Sequence, residues 1–154
     1  MRISRVSISP HPGTDIVPSL IEANRRRVAG GSSPGRFLVA HITRDALPRA
    51  DIILCRDCLV HLSFANVDRV LAQFRMSGAR FLLVTTFPEW DGNRDCEDGD
   101  WRALNMEKAP FDWPAPDALI DERCEEGGGG WRDKSLGLWR LDQLPNAKPD
   151  SGSE

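Results

Sequence analysis

The sequence contains no apolar run near the ~18 residues that a membrane-spanning helix requires. Its first ten residues, MRISRVSISP, lack the continuous apolar segment of a secretory signal. Four cysteines among 154 residues are too few for a disulfide framework, so we expect a reducing, cytoplasmic location. There is no excess of positive charge either, since the net charge is −3, which argues against a general nucleic-acid binder. No internal repeat is visible.

The composition is that of an ordinary globular domain, with 40% hydrophobic and 28% charged residues. We expect one domain over residues 1–144 and a flexible tail over 145–154. The charge is unevenly distributed, because residues 1–86 have a net charge of +6 and residues 87–154 a net charge of −9. Such a division is typical either of a basic face for an anionic ligand or of simple solvation.

Short apolar runs alternate with helical patterns along the first 90 residues. The strands are predicted at 14–17, 37–41, 51–55 and 81–87. Pro18 suits the first turn of a helix that ends at two glycines. A second helix is indicated by apolar residues at 67, 70, 71 and 74, with Ser63 or Asn66 as its cap. This alternation predicts a mostly parallel α/β sheet whose ligands lie beyond the carboxyl ends of the strands.

The remaining residues change in character. Residues 88–118 are rich in proline and tryptophan, which favours an irregular segment over the sheet. The runs ALIDERC and SLGLWRL are predicted to be two final strands, joined through four glycines at 127–130. Residues 2–9 alternate and are a candidate for one further strand.

Several of these segments together resemble one enzyme family. The runs are ILCRDCLVHLSFANVDRVLAQFRMSGARFLLVTTFPE, NRDCEDGDWRALNMEKAPFDWPAP and DKSLGLWRLD, with GTDIVPSLIEANRRR upstream. As a set, covering about residues 13–144, they are similar to bacterial class I S-adenosylmethionine-dependent methyltransferases. The resemblance implies a Rossmann-like sheet, mostly parallel, with a C-terminal antiparallel hairpin that contains SLGLWRL.

The resemblance also implies a cofactor, S-adenosylmethionine, and residues that hold it. Asp15, followed by Ile16, matches the acidic residue that accepts hydrogen bonds from the ribose hydroxyls. The residues His41, Ile42 and Thr43 match the segment that contacts the adenine, although an acidic residue is expected where His41 stands. The segment CRDCLVHL, which begins at Cys55, matches the motif beside the methyl donor.

The family's first strand and its glycine-rich turn have no counterpart upstream of Asp15. Such a turn requires glycine because the backbone approaches the cofactor closely. We therefore expect a sheet that lacks the first strand and helix, through truncation or divergence. A missing central strand would leave backbone groups unpaired on both sides, so a partner that completes the sheet is also an expectation.

The CRDC segment permits three interpretations. Its C-x-x-C spacing allows a redox disulfide. It also supplies half of a zinc site, but the cysteines at 96 and 124 are isolated, so a tetrahedral set is missing. We favour structural cysteines, with Cys55 buried and inert. No metal is predicted.

The candidate catalytic residues are Arg56, Asp57 and His61. His61 is a possible general base because imidazole titrates near neutral pH, and Asp57 could orient it or contact the substrate. The alternative is that His61 only packs between its apolar neighbours. On the substrate side we expect a loop that closes on the acceptor, with the candidate residues Asn93, Asp95 and Trp101. Trp101 is equally consistent with a wall of the site and with a loop anchor.

Two functions of different classes follow from these observations. The first is methyl transfer from S-adenosylmethionine to an unidentified small-molecule or protein acceptor. The second is a non-catalytic methyltransferase-like remnant or an interaction module. Asp15 and CRDCLVHL favour the enzyme, whereas His41 and the missing glycine-rich turn favour the remnant.

Overall fold

The computed structural model describes residues 12–29 and 35–146. They form six strands and two α-helices, arranged in a two-stranded and a four-stranded sheet. The predicted strand over residues 2–9 and most of the predicted tail lie outside these residues. No helix of the described part is long and apolar enough to cross a membrane.

The first unit is a β-α-β arrangement. Strand β1, Pro12–Asp15, pairs in parallel with β2, Arg36–Val39, and helix α1, Pro18–Val28, connects them. Pro18 occupies the first turn as predicted. Arg25 ties the helix to β2 because its Nε and Nη2 donate to the Phe37 carbonyl at 3.0 and 2.7 Å. Within α1 only Ile21 is buried, so this unit contributes little to the main core.

The second unit is a four-stranded sheet in the order β3-β4-β6-β5. Strands β3, Ile52–Cys55, and β4, Phe81–Thr86, are parallel. Strand β6, Ser135–Arg140, is antiparallel to both β4 and β5, Ala118–Asp121. The predicted C-terminal antiparallel hairpin is thereby confirmed. In this register Ser135, at the start of β6, pairs with Thr86 at the carboxyl end of β4.

Helix α2, Phe64–Met76, is the crossover between β3 and β4. Its apolar stripe of Val67, Val70, Leu71 and Phe74 is buried against one face of the sheet, as the spacing predicts. The start of the helix is capped from two directions. The Ser63 hydroxyl accepts from the Asn66 N–H at 3.4 Å, and Asp98 Oδ1 accepts from the Ser63 N–H at 2.7 Å.

The segment between β4 and β5 crosses the sheet without helix or strand, as its prolines predict. Its buried residues complete the core. The Trp139 indole of β6 donates to the Pro114 carbonyl at 2.7 Å, and its ring lies edge-on to Trp113 with centroids 5.1 Å apart. Gly137 is required here because a Cβ at this position would come within 2.3 Å of the Trp139 ring.

One face of the four-stranded sheet is partly open at β3, which is one of its two edge strands. Ile52 and Leu54 of β3 are 51% and 63% exposed, although they stand beside the equally apolar Phe81 and Leu83. Within the described residues no strand pairs with the free side of β3, and β1 and β2 form a sheet of their own. The absence of a strand beside β3 in the whole chain stays a prediction.

The limits of the strands differ from those predicted. The strand expected at 37–41 covers Arg36–Val39, so His41 belongs to the following turn. The first strand begins at Pro12 and ends at Asp15, because the side chain of Asp15 accepts from the Val17 N–H and starts the turn into α1. The other two end within a residue of their predicted limits.

Candidate functional site

The carboxyl ends of β1 and β3 lie next to each other. The turn after β2, the parallel neighbour of β1, packs through Ile42 against the core that contains Cys55. The hydrogen bond from the Cys55 thiol lowers the pKa of Cys58, and the charge of Asp15 acts on Cys58 in the opposite direction. The turn after β1 and the CRDC segment after β3 therefore share one edge of the molecule, where α/β sheets bind their ligands.

Asp15 presents a carboxylate at this edge. Its Oδ1 accepts from the Val17 N–H at 2.8 Å, and its backbone carbonyl accepts from the Ala40 N–H at 3.0 Å. These contacts fix the side chain at the end of β1. Among the described residues no donor reaches Oδ2, so this oxygen can accept from a ligand. Ile16, beside it, is exposed.

The predicted adenine-contacting segment forms a tight turn after β2. The His41 N–H donates to Asp45 Oδ2 at 2.7 Å, and the His41 carbonyl accepts from the N–H groups of Arg44 and Asp45. The Thr43 hydroxyl lies 2.8 Å from His41 Nδ1. Ile42 packs against the main core. The turn is thus internally fixed, with His41 and Thr43 half-buried.

The CRDC segment is structural at its first cysteine. Cys55 is buried in the core, and the hydrogen bond to Cys58, with burial, raises the pKa of its thiol. Contact of the Cys55 side chain with the cofactor stays a prediction, which its burial does not favour. Within residues 12–29 and 35–146 no cluster of three His, Cys, Asp or Glu side chains could hold a metal ion.

Four charged side chains form a compact network beside this segment. Lys134 Nζ lies 2.8 Å from both carboxylate oxygens of Asp57 and 3.7 Å from Glu122 Oε2. Arg56 Nε lies 2.5 Å from Glu122 Oε1. Burial lowers the pKa of Lys134, but the hydrogen bond and charge of Asp57 and the charge of Glu122 outweigh it and raise the pKa above its usual value.

Asp57 is held in an uncommon backbone conformation. Its φ is +52°, a region that aspartate tolerates better than most residues but that still stores strain. Its N–H donates to the Thr85 hydroxyl of β4 at 2.8 Å. Two neighbouring strands and Lys134 thus determine where this carboxylate stands.

His61 is oriented by a backbone group. Its Nδ1 lies 2.9 Å from the Asp100 carbonyl, which can only accept, so Nδ1 is the donor, and in the neutral imidazole the lone pair is on Nε2. The Asp57 carboxylate contacts Lys134 and not His61. The structure therefore does not support the prediction that Asp57 orients His61. Arg56 is likewise engaged with Glu122 and Asp57.

These side chains border a cleft of about 360 Å³. Asp57, His61 and Lys134 form its polar side, and Phe87, Trp101 and Trp131 form its aromatic side. A wider depression of about 530 Å³ adjoins it through Cys124. Trp101 lines the cleft and also packs on Phe87, so its position is consistent with a wall of the site and with a loop anchor.

Several cleft residues were not predicted as site residues from the sequence, among them Trp131 and Lys134. Trp131 and Lys134 precede β6, and the antiparallel direction of that strand brings them to the carboxyl end of β4. Once SLGLWRL was predicted to be the reversed strand, the residues just before it could have been assigned to this edge.

Asn93 and Asp95 have structural partners. The Asn93 amide donates to the carbonyls of Asn105, Lys108 and Ala109, and its oxygen accepts from the Asn105 N–H. Asp95 Oδ1 accepts from the Phe64 N–H at 2.8 Å at the start of α2. Neither borders the cleft. Contact of either with an acceptor stays a prediction that their positions do not favour.

Comparison with known proteins identifies the fold. No family model matches the sequence, and no curated protein matches it. A solved SAM-dependent methyltransferase from Methanosarcina mazei superimposes with a TM-score of 0.51 at 16% identity, over 82% of this chain and 78% of that one. The architecture is thus the α/β, Rossmann-like fold of S-adenosylmethionine-dependent methyltransferases.

Two further solved structures match more weakly. A protein from Pyrococcus horikoshii has 18% identity over 51% of this chain, with a TM-score of 0.44. The magnesium protoporphyrin IX methyltransferase of Synechocystis, solved with bound SAH, has 14% identity over 58% of this chain and a TM-score of 0.43. This chain spans 37% and 48% of their respective lengths, less than half of each.

Proposed function

We propose that this chain binds S-adenosylmethionine at the edge formed by β1, β2 and β3 and directs its methyl group to an acceptor in the adjoining cleft. The observation that carries the proposal is Asp15. Its carboxylate stands at the end of β1 with one oxygen free to accept, next to the CRDC segment, on the fold of a methyltransferase.

The residues at this edge fit the nucleoside half of the cofactor. Asp15 Oδ2 can accept hydrogen bonds from vicinal ribose hydroxyls. The fixed turn after β2 offers His41 and Thr43 as a half-buried wall for a planar base. No glycine-rich turn stands between β1 and β3 in the described residues, so hydrogen bonds to the amino-acid half are not assigned.

The cleft fits the acceptor. When bound, S-adenosylmethionine supplies a methyl group on a positively charged sulfur, and transfer requires alignment and exclusion of water more than strong base catalysis. His61 Nε2 can take a proton from the acceptor, because Nδ1 is already committed to the Asp100 carbonyl. Lys134 holds the Asp57 carboxylate in the cleft wall.

The matched pair Asp15→Asn and Asp51→Asn tests the cofactor site. Asn at 15 can still accept the Val17 hydrogen bond with its oxygen, but it replaces the free acceptor with an NH₂ group. The control substitution Asp51→Asn makes the same chemical change just before β3, at its amino-terminal end and away from the proposed cofactor site. We expect Asp15→Asn to weaken S-adenosylmethionine binding by roughly 10- to 100-fold in calorimetry. Equal affinity of the two variants would refute the role of Asp15.

A non-catalytic interaction module is the second candidate. The exposed Ile52 and Leu54 and the unpaired edge of β3 favour it, because an open apolar strand is a ready template for another strand. We propose that a partner segment completes the sheet at this edge. Hydrogen exchange tests it. The backbone N–H groups on the unpaired side of β3 should exchange slowly when a partner is bound. If they exchange rapidly both in the purified protein and in the protein in cell extract, such a partner is contradicted.

A further inference from the structure

We propose that the methyl acceptor is a cationic amine, recognised in the aromatic cleft and retained there as a methylated ammonium. This inference rests on the proposed methyl transfer and assigns its substrate class. Three observations carry it: the arrangement of the aromatic rings, the balance of charge around the cleft, and the free lone pair of His61.

The aromatic side of the cleft is a packed cluster of rings. Trp101 and Trp131 meet edge to face with centroids 4.6 Å apart and planes at 68°. Phe87 lies beneath both, with centroids 6.0 and 5.8 Å away. Phe87 is buried, whereas Trp101 remains exposed, so indole surface is available to a ligand. Ring faces carry negative electrostatic potential and attract ammonium groups.

The indole of Trp131 is supported from behind by the glycine-rich segment. Gly127 has a φ of +63°, and a Cβ there would come within 2.8 Å of Trp131 Nε1. Any larger residue at this position would therefore require the ring to move. The glycines predicted to form a flexible turn therefore also provide room for a tryptophan that lines the site.

The charges around the cleft favour a positively charged ligand. The charged network beside the cleft is neutral as a whole, because Lys134 and Arg56 are balanced by the carboxylates of Asp57 and Glu122. Glu126 adds a further carboxylate to the lining. Two acidic loops adjoin these residues, since 95–100 contains four acidic and no basic residues and 121–126 contains four acidic residues and one arginine. Such a field concentrates cations.

The chemistry balances with the groups present. An ammonium ion entering the cleft gives a proton to His61 Nε2, which leaves the nitrogen with a free electron pair. That pair forms the new nitrogen–carbon bond while the carbon–sulfur bond breaks, and the sulfur keeps the electrons and becomes neutral. The product nitrogen is positively charged again and stays against the rings. A hydroxyl acceptor would give a neutral product that gains nothing from them.

Binding of choline and of its neutral isostere 3,3-dimethylbutan-1-ol measures the preference for charge directly. The two probes share shape and hydroxyl group and differ in one charged atom. We expect choline to shift the indole NMR signals of Trp101 and Trp131 with an affinity about tenfold higher than the alcohol. The buried indoles of Trp113 and Trp139 serve as internal references, since neither borders the cleft.

Two glutamate-to-glutamine variants, each of which removes one negative charge, identify the site. Glu126→Gln removes a carboxylate from the cleft lining, and Glu125→Gln removes its neighbour, which borders only the adjoining depression. We expect Glu126→Gln to weaken choline binding severalfold without changing the affinity for the alcohol. Glu125→Gln is expected to remain within twofold of the unmodified protein.

Titration with S-adenosylmethionine on the same sample separates this inference from the proposed function. Equal affinity for choline and the alcohol, or shifts outside Trp101 and Trp131, would overturn the cationic acceptor and leave cofactor binding intact. Selective choline binding by a protein that does not bind S-adenosylmethionine would refute the proposed function and, with it, the assignment of the amine as a methyl acceptor.

Discussion

Substitution of Lys134 by methionine removes the ammonium at the centre of the charged network and keeps most of the apolar stem. The Lys134 side chain is only 9% exposed, and its Nζ lies 2.8 Å from the Asp57 carboxylate. The change leaves Glu122, 12% exposed, with Arg56 as its remaining charge partner. Glu122 Oε2 already has no hydrogen-bond donor among the described residues.

The expected cost follows from this burial. Removing one member of a fully buried ion pair costs about 3–5 kcal/mol, because the other charge stays uncompensated. Asp57 is 36% exposed and Arg56 still contacts Glu122, so we expect a cost below that range. We expect Lys134→Met to lower the free energy of unfolding by about 2–3 kcal/mol. For a domain of this size that is a fall in Tm of roughly 4–12 °C.

Urea unfolding of a double-mutant cycle measures the effect. In Lys134→Met combined with Glu122→Gln, the buried negative charge is also removed, so about 1 kcal/mol or more should be regained.

The stabilisation by Lys134 also depends on pH. The pKa of Lys134 is raised in the folded state, so its contribution to the free energy of unfolding is complete below the ordinary lysine pKa and disappears as the pH rises through the folded value. This reasoning would be refuted if Lys134→Met lowered the free energy of unfolding by less than about 1 kcal/mol at neutral pH and if the effects of the two substitutions were additive.

Three further predictions concern the fold that supports the site. Gly137→Ala is expected to cost about 1–3 kcal/mol in urea unfolding through overpacking against a buried indole, whereas Gly92→Ala, with no atom within 4 Å of the new Cβ, should be near neutral. Leu82→Ala should cost about 2–5 kcal/mol and Leu54→Ala under about 1 kcal/mol, because the first side chain is buried and the second is largely exposed; similar costs would show that the β3 face is covered. The backbone hydrogen bond at the start of α2 lowers the pKa of Asp98, so its stabilisation is present above the ordinary carboxyl pKa and is lost as the pH falls. In Asp98→Asn the free energy of unfolding should therefore depend less on pH below about pH 4, and an unchanged dependence would contradict the capping role of Asp98.

Local patterns in the sequence were sufficient to predict the elements of the fold. The i, i+3, i+4, i+7 spacing predicted the buried face of α2, and short apolar runs predicted β3 and β4, because burial on both faces of a parallel sheet requires them. The exposed side of β3 was not predictable in the same way. Ile52 and Leu54 are as apolar as core residues, and their exposure depends on what packs beside them.

The site was predicted less completely because its contacts are long-range. Asp57 and Lys134 are 77 positions apart, and only the reversed direction of β6 brings them together. Asn93 and Asp95 have the polar side chains expected of a substrate loop, but the irregular segment uses them to satisfy backbone groups. Without regular structure, such a segment depends on side chains for those hydrogen bonds.

Thermal unfolding of the chain with and without saturating S-adenosylmethionine tests the central claim most directly. At 100 times its dissociation constant a ligand adds about 2.7 kcal/mol to the free energy of unfolding. We therefore predict a single cooperative transition that moves upward by several degrees, and a much smaller shift in Asp15→Asn at the same concentration. A cooperative transition that the cofactor leaves unmoved would contradict methyl transfer and support the interaction module.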